Sequence, residues 1–125
     1  MKKITIAFDV DGTLRDNKFD STSEITPFPT DKPIANEEIR TLLIILSKFK
    51  NIRILVWSGG GELYARQICG QFGLTKYVDA YAGKIITEED RMGVRQSHPN
   101  LAVDIAIDDI QDCVLGGLNL ICKQK

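Results

Sequence analysis

One histidine and three cysteines are the whole supply of nitrogen and sulfur metal ligands in this chain of 125 residues. The cysteines, Cys69, Cys113 and Cys122, stand in separate apolar surroundings with no C-x-x-C spacing. That pattern fits neither a zinc site nor a disulfide framework, and they read as reduced core residues of a cytoplasmic protein. His98 precedes Pro99 in a polar stretch where nothing beside it assigns it chemistry; it reads as a surface residue. No apolar run approaches bilayer length. Met1-Lys2-Lys3 leads straight into a strand-like stretch, without the long apolar region of a secretory signal. Charge of one sign is lacking too: 16 basic and 17 acidic residues give a net −1. Spread along the chain, they offer no broad capture of nucleic acid or anionic membrane.

What is present suffices for one folded unit. A hydrophobic content of 43% fills a single core over residues 1–125 and leaves no room for a second domain. Ile4 to Phe8 is a β-branched and aromatic run stopping at acidic residues and glycine, as a buried strand does when it ends in a loop. The polar stretch 15–33 holds three of the four prolines. So long a connection in a compact domain is usually functional, and it is expected to form a flap over a site.

Asn36 is placed to cap a helix carrying Ile39, Leu42, Leu43, Leu46 and Phe49 at helical spacing. Ile52 to Trp57 reads as a second buried strand. After Ser58 and Gly59-Gly60-Gly61, residues 62–72 repeat helically until Gly73. Tyr77 to Ala82 is a third strand, weaker in pattern. Residues 85–100 are polar, with a helical turn or two expected over 88–94. Leu101 to Ile107 is a fourth strand, followed by a short helix over 110–115 and a last strand, Leu118 to Cys122. Five apolar strands separated mostly by helices imply an α/β fold with a parallel sheet covered on both faces.

Ligands of such sheets bind beyond the carboxyl ends of the strands. There the sequence places Asp9 and Asp11, then Ser58, then Lys84, then Asp108 with Asp109. Carboxylates forced together repel unless a cation compensates, which argues for a divalent metal. Oxygen donors without a His or Cys cluster favour Mg²⁺ over zinc. A magnesium ion with an ammonium and a hydroxyl suits a phosphoryl group.

Asp9-Val10-Asp11-Gly12-Thr13-Leu14 resembles the first motif of the haloacid dehalogenase superfamily, D-x-D-G-T-[LV], at the end of an apolar strand. Ser58, Lys84 and Asp108-Asp109, with Asp112 four residues after Asp108, follow in that family's order, so the similarity spans nearly the whole chain. It implies a Rossmann-like three-layer sandwich with a mainly parallel five-stranded sheet. It further implies phosphoryl transfer in two steps: Asp9 attacks phosphorus, and Asp11 protonates the leaving group and then activates water. Asp9, the Asp11 backbone carbonyl and Asp108 would hold Mg²⁺, with Asp109 or Asp112 in support. Ser58 and Lys84 would grip the phosphoryl oxygens. Gly12 would let the chain turn so that backbone N–H groups beyond Asp9, at Gly12 and Thr13, face the phosphate. Lys76 competes with Lys84 for its role. Trp57, beside the site, is expected to pack in the core or at its rim.

With only 15–33 and about a dozen polar residues after Lys84 as insertions, the chain resembles the family's capless members. These act on large substrates or borrow a neighbouring subunit as a lid, so a homo-oligomer is compatible. The expected activity is Mg²⁺-dependent hydrolysis of a phosphomonoester: a sugar phosphate, a nucleotide or a polynucleotide 3′-phosphate. A polynucleotide would need a basic groove from Arg15, Lys18, Arg91 and Arg95, and the balanced charge does not favour it.

Two rivals come from other classes. A dinucleotide-binding module would use Gly59-Gly60-Gly61, but the third glycine of G-x-G-x-x-G falls at Tyr64. A phosphoacceptor of the response-regulator kind, or a degenerate binding protein of the same fold, would keep the acidic site without turnover. Response regulators carry their aspartate after the third strand, where this chain has none comparable.

Overall fold

The computed structural model describes residues 3–16, 33–89, 95–98, 101–109 and 115–122. Most of the expected flap, the expected helix over 110–115 except Leu115, and Lys18, Arg91, Asp112 and Cys113 lie outside the described residues.

Five parallel strands form the main sheet: β1 (Ile4–Asp9), β2 (Ile52–Ser58), β3 (Ala80–Gly83), β6 (Ile105–Asp108) and β7 (Leu118–Ile121). Their order is β3-β2-β1-β6-β7. The chain builds leftward from β1, then returns to its other side, so the strand order reverses between β1 and β6. The α/β fold with a five-stranded parallel sheet is therefore as the apolar runs imply, and β1 is its central strand. Phe8 pairs with Val56 on one side and Ile107 on the other, and Ile6, Ala7 and Phe8 are buried.

Two helices pack on one face of the sheet: α1 (Glu37–Ser47) and α2 (Glu62–Gln71). Leu43 of α1 and Ala65, Ile68 and Cys69 of α2 share a buried cluster with Ile6, Phe8, Ile54, Val56 and Ile107. Because strand side chains alternate between faces, Ala7, Leu55, Trp57, Ala82 and Ala106 form a second cluster on the opposite face. Val103 and Leu115 join it from the loops beside β6 and β7. Trp57 is fully buried there, and its indole Nε1 has no hydrogen-bond partner among the described residues. Cys69 is a free, buried thiol whose pKa burial pushes up to about 12, as expected of an inert core cysteine.

The aspartates at two strand entrances act as latches. Asp104 Oδ2 accepts the Thr5 N–H at 2.8 Å, and Asp79 Oδ2 accepts the Ile54 N–H at 2.8 Å. Both strands start later than their apolar runs suggest. β6 starts at Ile105 rather than Leu101, and β3 starts at Ala80 because Thr75–Tyr77 form a 3-10 helix. Asn36 sits at the N-cap of α1 but makes no side-chain cap bond. Its Nδ2 lies 3.8 Å from Cys122 Sγ, and Glu37 and Glu38 supply the charge that suits the helix start. Phe49 lies beyond α1 and is exposed.

The largest departure follows Lys84. Where a helical turn is expected over 88–94, β4 (Ile85–Glu89) pairs antiparallel with β5 (Arg95–His98), Ile85 opposite His98 and Glu89 opposite Arg95. The ladder shifts register between Ile86 and Glu88. The β-branched triplet Ile85-Ile86-Thr87 prevails over the helix-favouring Glu88-Glu89 that follows it.

Candidate active site

Asp9 is the last residue of β1 and Asp108 the last of β6. The pairing of Phe8 with Ile107 sets the two carboxylates side by side at the carboxyl edge, where the strand order reverses. This is the crevice that open α/β sheets use for ligands.

Lys84 directly follows β3 and is buried. Its Nζ donates to Asp9 Oδ1 at 2.7 Å and to Asp108 Oδ2 at 2.8 Å. Lys76 is exposed, its ammonium 5.1 Å from the Tyr77 ring centroid. Lys84, not Lys76, is thus the lysine that enters the crevice. Its backbone N–H donates to the Ser58 carbonyl at 2.8 Å, and so does that of Gly61 at 3.1 Å. One carbonyl therefore ties the loops after β2 and β3 together. Gly83 lets the two loops approach closely: a Cβ there would meet Gly61 Cα at 3.3 Å.

Asp109 completes the cluster. Its N–H donates to Asp108 Oδ1 at 2.8 Å, and one carboxylate oxygen from each of Asp9, Asp108 and Asp109 lies within 4.8 Å of the others. Three carboxylates around one ammonium leave a charge of −2 when all are ionised. Burial pushes the Asp9 carboxyl up to about 8; Lys84 opposes the rise, and Asp108 and Asp109 reinforce it. Asp109 is raised to about 6 by burial and by its hydrogen bond with Asp108. Burial works against the charge of Lys84, but Asp9 and Asp108 outweigh it and raise its pKa. The cluster thus carries a deficit of positive charge, which protons or a divalent cation can supply. Its oxygen-only donor set suits a hard cation such as Mg²⁺.

The turn after β1 is closed by backbone bonds. Leu14 N–H donates to Asp9 O at 3.3 Å and Arg15 N–H to Val10 O at 2.8 Å, with Gly12 at φ +84°. The N–H of Gly12 donates to Arg15 O, and that of Thr13 to Val10 O. These two groups are therefore engaged within the turn. Gly12 gives the turn its left-handed residue, and Thr13 contributes its hydroxyl, which is buried and 3.4 Å from Asp9 Oδ2.

Ser58 is buried, and its hydroxyl accepts the Gly60 N–H at 3.0 Å, folding back into its own loop. Asp11 is exposed at the rim. Its Oδ1 accepts the Tyr64 hydroxyl at 2.6 Å and lies 3.6 Å from Arg15 Nη1, which in turn donates to the Tyr64 oxygen at 2.8 Å. Tyr64, in the first turns of α2, was not legible as a site residue. The available signal was a hydroxylated aromatic just after a glycine loop at a strand end.

No protein-family model matches the chain, and neither does any curated protein or solved structure.

Proposed function

We propose that the chain is a Mg²⁺-dependent phosphomonoester hydrolase of the haloacid dehalogenase type, acting through an aspartyl-phosphate on Asp9. The observation that carries this reading is the position of Lys84, whose one ammonium is shared between Asp9 and Asp108 at the point where the strand order reverses. Asp9, Asp108 and Asp109, with the Asp11 carbonyl, would hold Mg²⁺. Bound there, the ion neutralises charge on the phosphoryl group during transfer.

The chain's own groups divide the remaining work. An Asp9 oxygen attacks phosphorus as the ester oxygen leaves, and Asp11 gives that oxygen its proton. Water then attacks phosphorus, Asp11 takes the water's proton, and the bond from phosphorus to Asp9 breaks. Lys84 keeps Asp9 oriented and offsets charge as the phosphoryl group arrives. Burial of Asp9 beside an exposed Asp11 suits an in-line displacement, with the nucleophile inside and the leaving group toward solvent.

Strand order bears on the rivals. Counted along the chain, the five strands run 3-2-1-4-5, whereas the flavodoxin-like domains that include response regulators run 2-1-3-4-5. A dinucleotide fold places its glycine loop after the first strand, where this chain has Asp9-Val10-Asp11-Gly12. The glycine triplet follows β2 instead.

The test is phosphate release with Mg²⁺ from sugar phosphates, nucleotides, 3′-phosphorylated oligonucleotides and p-nitrophenyl phosphate. Turnover that needs the ion and disappears in Asp9→Asn supports the reading. No release from any substrate class overturns it.

A further inference from the structure

We infer that Tyr64 and Arg15 form a clasp that fixes the Asp11 carboxyl as proton donor, making Tyr64 a positioning residue for the departure of poor leaving groups. The inference rests on the phosphohydrolase reading.

The geometry is specific. Asp11 stands in a turn two residues beyond the buried Asp9, with half of its side chain exposed, at 52%. A carboxylate so open to water would ordinarily sample several rotamers. Here Tyr64 reaches it from α2 at 2.6 Å and Arg15 lies 3.6 Å away, while Arg15 also donates to the Tyr64 oxygen at 2.8 Å. The three groups close a triangle, so none can turn without breaking two contacts.

Both contacts of Asp11 are made to Oδ1. Oδ2 is therefore the oxygen left to carry a proton to the leaving group and to receive one from water. The glycine loop after β2 passes close to the ring: a Cβ on Gly60 would meet Tyr64 Cδ2 at 3.0 Å. The clasp thus joins the turn after β1 to α2, and the orientation of the acid depends on both.

The prediction separates proton delivery from the rest of the reaction. An aryl phosphate such as p-nitrophenyl phosphate leaves without a proton, and an alkyl phosphate such as glycerol phosphate does not. With Mg²⁺ present, Tyr64→Phe keeps the ring and deletes the hydroxyl. It should lower kcat/KM, which reports the steps up to departure of the leaving group, on glycerol phosphate by roughly tenfold or more, a part of the 10²–10⁴ that a placed general acid contributes. On p-nitrophenyl phosphate kcat/KM should change less than about twofold. Arg15→Met should give the same split and serves as the second test where Tyr64→Phe folds poorly. An equal fall on both substrates, or no fall on either, overturns the clasp while leaving the hydrolase reading intact. Absence of turnover by the wild-type protein overturns both.

Discussion

Asp9 and Asp108 end two neighbouring parallel strands at the same height, and a single ammonium, that of Lys84, lies 2.7 Å from one and 2.8 Å from the other. All three groups are buried. Each carboxylate is desolvated, and one cation is divided between them, so the arrangement is held in balance by whatever else enters the crevice.

Removing the ammonium tests that balance directly. Lys84→Met leaves Asp9 and Asp108 without their shared cation, and loss of one partner from a buried ion pair, here that of Lys84 with Asp108, costs about 3–5 kcal/mol. Urea unfolding at pH 7 should show a loss of that size, partly recovered by millimolar Mg²⁺. An unchanged midpoint would mean that Lys84 does not hold the carboxylates in place.

Asp108→Asn removes one carboxylate from the cluster while retaining an amide oxygen that can accept from Lys84 or from the Asp109 N–H. Magnesium affinity by calorimetry should fall by no less than the roughly 10- to 100-fold that even indirect partners of a bound metal are worth. The unfolding midpoint should move far less. A titration identical to wild type would remove Asp108 from the ligand set.

The acid–base behaviour has a definite sign. Asp9 holds its proton up to about 8 and Asp109 up to about 6, both above the ordinary 3.8. In the metal-free protein these raised values stabilise the fold fully below 3.8. The contribution declines as pH rises, ending through about 6 for Asp109 and about 8 for Asp9. A cation must displace the same protons, so Mg²⁺ affinity should increase from pH 6 to pH 8, with protons released on binding. Calorimetry in two buffers of different ionisation enthalpy measures that release; its absence would contradict a protonated resting cluster.

Gly116 tests the packing that supports β6. A Cβ there would lie 2.9 Å from Val103 Cγ2 and 3.1 Å from the Ala106 N, so Gly116→Ala forces an overpacked contact costing about 1–3 kcal/mol. Thermal unfolding should register the loss. A variant as stable as wild type would show that Val103 and the chain around it move aside freely.

The sequence made some of these features legible and hid others for physical reasons. β1 and β2 were visible because buried central strands read as unbroken apolar runs, and Asp9 and Asp108 because each closes such a run. Lys84 stood out only by its place, since a lysine's partners lie across the sheet and leave no local trace. The β4–β5 hairpin was hidden because its polar residues lack the alternation that identifies a half-buried strand. Tyr64 was hidden because its hydroxyl meets Asp11, 53 positions away. The ordinary roles of Asp79 and Asp104 were equally silent, as a latch on a neighbouring strand looks like any loop aspartate.

The reversal of strand order between β1 and β6 has a consequence for folding. These neighbours come from opposite ends of the chain, and Thr5 and Asp104, which latch them, are 99 residues apart. Closing so long a loop is costly in entropy. The crevice therefore does not exist until the two ends have met, and a ligand that binds there favours the joined state by mass action. Occupancy of the site and the pairing of β1 with β6 are thereby linked equilibria.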